Sequence, residues 1–147
     1  MVVGLILVGP FAAGCSADKR VDPVPDGRTP VVVTPAQRAL VGEVMRRNLS
    51  SIHQISTAAA QGDLRSVASL ADEASKAPGP GGLDHALRAK LPQGWLDIGK
   101  GVDYGFAEIA TAARSGGVPA RLNAGMAALT GACLSCHTSY RLVLETD

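Results

Sequence analysis

At 147 residues the chain has material for one domain with a single core, and 14 Lys and Arg against 13 Asp and Glu leave a formal net charge of +1. So even a balance excludes the basic footprint of a nucleic-acid binder or of a protein held on an anionic membrane surface by charge alone. Two Phe, two Tyr and one Trp are few aromatics for a core to draw on. Ala-rich helix packing would account for that, and so would a buried planar group.

Residues Val2 to Ala13 are almost wholly apolar, too short to span a bilayer as a helix and of the length of a secretory signal's apolar region. The run closes on Ala12-Ala13-Gly14-Cys15, small residues ahead of a cysteine. That resembles a bacterial lipoprotein signal, with residues 1–14 removed and Cys15 lipidated as the first residue of the mature chain. The alternative is an ordinary cleaved signal with Cys15 removed or incidental. Beyond it, Pro23, Pro25 and Pro30 stand among Asp18, Lys19, Arg20, Asp22, Asp26 and Gly27. Prolines deny a helix and charges deny a core, so residues 15–33 read as a semi-extended tether that would hold the domain clear of a membrane. Val31-Val32-Val33 has strand character but no evident pairing partner, and is expected to pack on a domain spanning residues 34–147.

Thr34, Pro35 and Gln37 form a capping box with proline at the first helical position, so a helix starts here. Its apolar stripe runs through Val41, Val44, Met45, Leu49, Ile52, Ile55 and Ala59. Gly62-Asp63 breaks it, and Asp63 caps a second helix to about Lys76. Pro78-Gly79-Pro80-Gly81-Gly82 ends that one, and the stretch to Gln93 reads mostly as loop with a turn or two around Leu83 to Ala89. A third helix from about Gly94 to Arg114 carries Trp95, Ile98, Val102, Phe106, Ile109 and Ala113 on one face. Gly101 and Gly105, one turn apart, either admit a close neighbour or are merely tolerated. Pro119 opens a fourth helix whose stripe takes in Leu122, Met126, Leu129, Cys133, Cys136 or His137, and Tyr140. The expected fold is all-α, an antiparallel up-down-up-down four-helix bundle.

That last helix holds Cys133-Leu134-Ser135-Cys136-His137, a Cys-x-x-Cys-His pattern. Two thiols one turn apart can add to the vinyl groups on one porphyrin edge, and the next residue's imidazole then lies beneath the iron. The competing readings are a thioredoxin-like redox pair, a zinc site, or two structural cysteines beside a chance histidine. No βαβ pattern precedes the pair, and His53, His85 and Cys15 are each isolated in sequence. Covalent attachment of one haem c through Cys133 and Cys136 is the reading preferred, and it agrees with export, because haem joins such pairs outside the bacterial cytoplasm.

Over about residues 35–142 the chain resembles the cytochrome c′ family. The resemblance is most specific in Cys133-x-x-Cys136-His137-x-x-Tyr140-Arg141, with support from the Gly62-Asp63 turn and the Trp95-to-Ala113 pattern. It implies a four-helix bundle with haem near the C-terminus, His137 as proximal iron ligand, and Cys133 and Cys136 as thioether anchors. It also implies an arginine, Arg141, beside the proximal haem face; a solvated last-turn arginine favoured by the helix dipole is the plainer alternative.

Members of that family with methionine on the first helix tend to be six-coordinate electron carriers, whereas those with leucine or phenylalanine leave the iron open to nitric oxide or carbon monoxide. Met45 is the only methionine on the first helix, about ten residues or ~15 Å from its start, and level with His137 in an up-down arrangement. His53 would overshoot by a further ~12 Å, and Met45 could also serve only as core filling. The expectation is a periplasmic, membrane-tethered His137/Met45 electron carrier, not an enzyme, docking with periplasmic or membrane redox proteins and open to homodimer formation. The alternatives are a five-coordinate gas-binding cytochrome and an accessory haem subunit of a membrane redox complex.

Overall fold

The computed structural model describes residues 26–145, and most of them are helical. Strand β1 (Thr29–Val33) leads into helix α1 (Pro35–Ala60), followed by α2 (Leu64–Lys76), α3 (Pro80–Leu83), α4 (His85–Lys90), α5 (Gln93–Arg114), α6 (Pro119–Ser139) and strand β2 (Tyr140–Leu144). Residues 1–25, including the signal-like run and Cys15, lie outside the described part.

Each boundary has a local cause. Thr34 and Gln37 exchange the two hydrogen bonds of the capping box, at 3.1 Å each. Gln37 is buried, and its amide also donates to Asp84 Oδ2 at 3.3 Å, tying the start of α1 to the cap of α4. Gly62, at φ +73°, turns the chain out of α1, and Asp63 caps α2 by accepting from the Ser66 backbone at 3.1 Å. The segment expected to be mostly loop is largely taken up by α3 and α4, because Asp84 caps α4 through the Leu87 N–H at 3.0 Å.

The helices pack as a chain of neighbours: α1 on α2, α2 on α5, α5 on α6. Phe106, Ile109, Leu129, Ile55 and Val67 fill the core between them. Glycines set the α5–α6 approach. A Cβ on Gly105 would stand 2.9 Å from the Leu129 Cβ and 3.0 Å from its Cα, and one on Gly125 would stand 2.8 Å from Ile109 Cγ1. Of the two readings of the α5 glycines, Gly105 takes the close-approach one; at Gly101 the nearest atom is Ala132 Cβ at an ordinary 3.8 Å. No comparable contact joins α1 to α6 among the described residues. That side stays open, and Leu49, expected on the inward stripe of α1, is 67% exposed there.

Two expectations are corrected at the chain ends. Residues 29–33 are strand rather than tether: β1 pairs with β2 in parallel, Thr29 opposite Tyr140 through Val33 opposite Leu144. Val31 and Val33 are buried against Val41, Leu87, Leu91, Trp95 and Cys136. The fourth helix, in turn, stops at Ser139, so Tyr140 and Arg141 belong to a strand and not to the helical stripe. Ladder pairing and burial of alternate valines outweigh helix continuation through Thr138, Ser139 and a β-prone Tyr-Arg-Leu-Val-Leu run.

Gly105→Ala should destabilise the protein by about 1–3 kcal/mol through overpacking against Leu129, despite a helix-propensity gain of about 1 kcal/mol. A methyl group on Gly99, also in α5, would meet nothing within 4 Å, so Gly99→Ala should stabilise by roughly 0.5–1 kcal/mol. Denaturant melts of the two variants should therefore move in opposite directions.

Candidate functional site

The rotation of α6 follows from its contacts with α5. With Gly125, Leu129 and Ala132 turned toward α5, the 3.6-residue period puts Met126, Cys133 and His137 on the neighbouring stripe. Cys136, four residues after Ala132, continues the inward stripe and is 9% exposed, in the cluster with Val31, Val33, Val41, Leu87, Leu91 and Trp95. Cys133 is half-buried and His137 is exposed. Met45, half-buried on α1, packs against that same cluster. Of the sequence-selected residues the structure brings Cys136 of α6 and Met45 of α1 to one apolar cluster, with Cys133 and His137 on the adjoining turns of α6.

Both cysteines are free thiols. Burial pushes the pKa of each above the ordinary thiol value, and the neighbouring Cys133 adds to the rise at Cys136. A thioredoxin-like pair needs the reverse, a thiolate stabilised near neutral pH, usually at a helix N-terminus. Here the pair lies in the C-terminal part of α6, where the helix dipole disfavours a thiolate. Among the described residues no cluster of three or more His, Cys, Asp and Glu side chains assembles around a shared point, so the zinc reading gains no further ligand. His53 is exposed on a polar groove with Gln54, Thr57, Gln61 and Asp63, and His85 is exposed at the start of α4.

Arg141 is placed differently from the expectation. It does not continue the His137 face of the helix but sits half-buried in β2. Its Nε is buried without a hydrogen-bond partner and lies 3.8 Å from Asp26 Oδ2, too far for a hydrogen bond. Asp26 is engaged by Arg28 instead, through Nη2 at 2.7 Å and Nε at 2.9 Å. Arg28 Nη1 then donates to the backbone carbonyl of His137 at 3.3 Å, capping the end of α6. Sequence reasoning missed this Asp26–Arg28 brace because Asp26 reads as a tether charge and Arg28 falls in the same proline-rich stretch. Tyr140 meets Trp95, ring centroids 5.4 Å apart and tilted by 51°, which ties the strand after the motif to the cluster around Cys136.

No family model, curated protein or solved structure matches the chain.

Asp26 titrates well below the usual carboxylate range, at about 2 rather than 3.8, first because of the Arg28 side chain and then the Arg28 backbone N–H. With the folded value depressed, the contact contributes fully above about pH 4 and is lost as pH falls through 2. A carboxyl NMR titration should place Asp26 near 2, and Asp26→Asn should remove that part of the acid response. A midpoint at the ordinary value would mean the brace is not kept in solution.

Proposed function

We propose that the protein is an exported electron-transfer cytochrome, an antiparallel four-helix bundle similar to the cytochrome c′ family that carries one haem c bonded to Cys133 and Cys136. The observation that carries this reading is the Cys133-x-x-Cys136-His137 pattern near the end of α6, with Met45 of α1 packed against the apolar cluster that holds Cys136.

The residues present suit haem c on three grounds. Two thiols and an imidazole stand at the spacing that one macrocycle edge requires. The cluster around Cys136 is apolar, with Val41, Leu87, Leu91 and Trp95 in it and Met45 packed against it. Arg141, beside the motif, has a buried N–H without a partner, a donor suited to a porphyrin carboxylate. Cys136 is the deeper of the two thiols, so side chains around it repack when its sulfur is bonded. Each cysteine would add its S–H across a vinyl group, giving two thioethers with nothing released.

Haem would supply a one-electron Fe(III)/Fe(II) couple. His137 would bind the metal from α6 and Met45 from α1, and a thioether ligand together with an imidazole favours the reduced state and raises the potential. Arg28 would hold the carbonyl of His137 and so fix the helix end on which the imidazole is mounted. The apolar cluster of Trp95, Val41, Leu91 and Leu87 would keep water from the Cys136 side. Export would follow from the signal-like residues 1–14, and lipid on Cys15 would hold the protein at a membrane facing the periplasm, where redox proteins would be its partners. No catalytic group is assigned to this reading.

Matured protein should show a haem bond that survives denaturation, a low-spin ferric spectrum with the weak far-red methionine–iron band, and no carbon monoxide shift. Met45→Leu should convert it to high spin with ready carbon monoxide binding. A wild-type protein already high spin and carbon monoxide-reactive would move the assignment to a five-coordinate gas-binding cytochrome with Met45 as packing only. Loss of all haem on denaturation would sink the covalent reading altogether.

A further inference from the structure

Gly94 stands in the first turn of α5, where a glycine weakens the helix and no turn asks for one. The described glycines with positive φ are Gly62, Gly116 and Gly117, so the backbone at Gly94 suits other residues too. What the position lacks is room. A Cβ there would overlap the hydroxyl oxygen of Tyr140, whereas the ring carbon that bears it would stand at an ordinary 3.7 Å. The missing methyl group is thus a notch filled by one atom, the Tyr140 Oη.

Tyr140 is the residue through which that notch reaches the motif. Its backbone N–H donates to the carbonyl of Cys136, closing the last turn of α6. Its ring meets Trp95, the residue after Gly94, and packs against the apolar cluster that holds the Cys136 side chain. Moving that ring by the width of a methyl group disturbs the cover of Cys136 and the hydrogen bond to its carbonyl together. Cys133, one turn earlier, is half-buried and not part of that cluster.

We propose that Gly94 is a positioning residue for the motif: by admitting the Tyr140 hydroxyl it latches the turn that carries Cys136 and His137 to the start of α5. As a role toward haem this rests on the cytochrome reading. The latch itself can be read in the thiols before any haem is bound.

In the full-length chain with free thiols, iodoacetamide labelling mapped by peptide mass gives the rates at Cys136 and Cys133 separately. Buried Cys136 reacts only when its turn opens locally. Gly94→Ala should raise its rate relative to Cys133 by roughly fivefold or more, because overpacking strain of the usual size favours that opening. Tyr140→Phe keeps the ring and removes the clashing oxygen, so it should label like wild type. Combined with Gly94→Ala it should return the ratio to the wild-type value. Should Gly94→Ala alone fail to fold, the double variant should still fold. An unchanged ratio in Gly94→Ala, a change that the double variant keeps, or loss of folding in both would overturn the latch. In haem-loaded protein Gly94→Ala should shift the midpoint potential, and the double variant should restore it. A shifted thiol ratio with an unchanged potential would overturn the positioning role and leave the notch to packing alone. A restored ratio in a chain that never binds haem covalently would instead retire the cytochrome reading and leave the latch standing.

Discussion

Everything at the site depends on how closely α6 lies on α5. Gly105 and Gly125 remove the two methyl groups that would hold the helices apart, and Leu129 and Ile109 fill the space they leave. That contact fixes both the distance and the rotation of α6. With its rotation fixed, a period of 3.6 residues determines which side Cys133 and His137 can take. A register slip would turn the thiols into the core or out to solvent. The close contact at Gly105 on α5 therefore orients the motif on α6, although that glycine lies far from it in sequence.

The second constraint comes from outside the helices. β1 and β2 place the residues just before α1 beside those just after the motif, and the Asp26–Arg28 pair closes on the His137 carbonyl. Two five-residue strands are marginal by themselves. These two hold because Val31 and Val33 are buried against α1, α4 and Trp95, and because Lys90 and Glu145 form an ion pair where β2 ends. The end of α6 is thus held from two directions, by packing on α5 and by the strand that follows.

Much of this was legible in the sequence, and what was not has physical causes. Thr34, Gln37, Asp63 and Pro119 are local signals, and the helices begin where those residues place them. Cys133, Cys136 and His137 fall within five residues of one helix, so their shared turn needed no tertiary information. The Val31–Val33 strand was hidden because its partner lies more than a hundred residues away and carries no turn or register cue. Tyr140 and Arg141 fit a helical stripe as readily as a strand, and only the presence of β1 decides between them. Leu49 likewise has the right spacing for a buried residue; its exposure reflects the missing neighbour on that side, which a periodicity cannot report.

Pairing β1 with β2 also sets an order of events in time. β2 follows β1 by more than a hundred residues, so β1 has no ladder partner until the chain through β2 is present to pair with it. Helices dominated by local contacts can form and dock earlier, whereas closing a loop of this length is a late and slow step. Until it happens Val31 and Val33 lie uncovered, and the end of α6 lacks its Arg28 cap. The thiol at Cys136 is then more accessible than in the finished fold, which opens an interval for chemistry on the motif before the ribbon shuts over it.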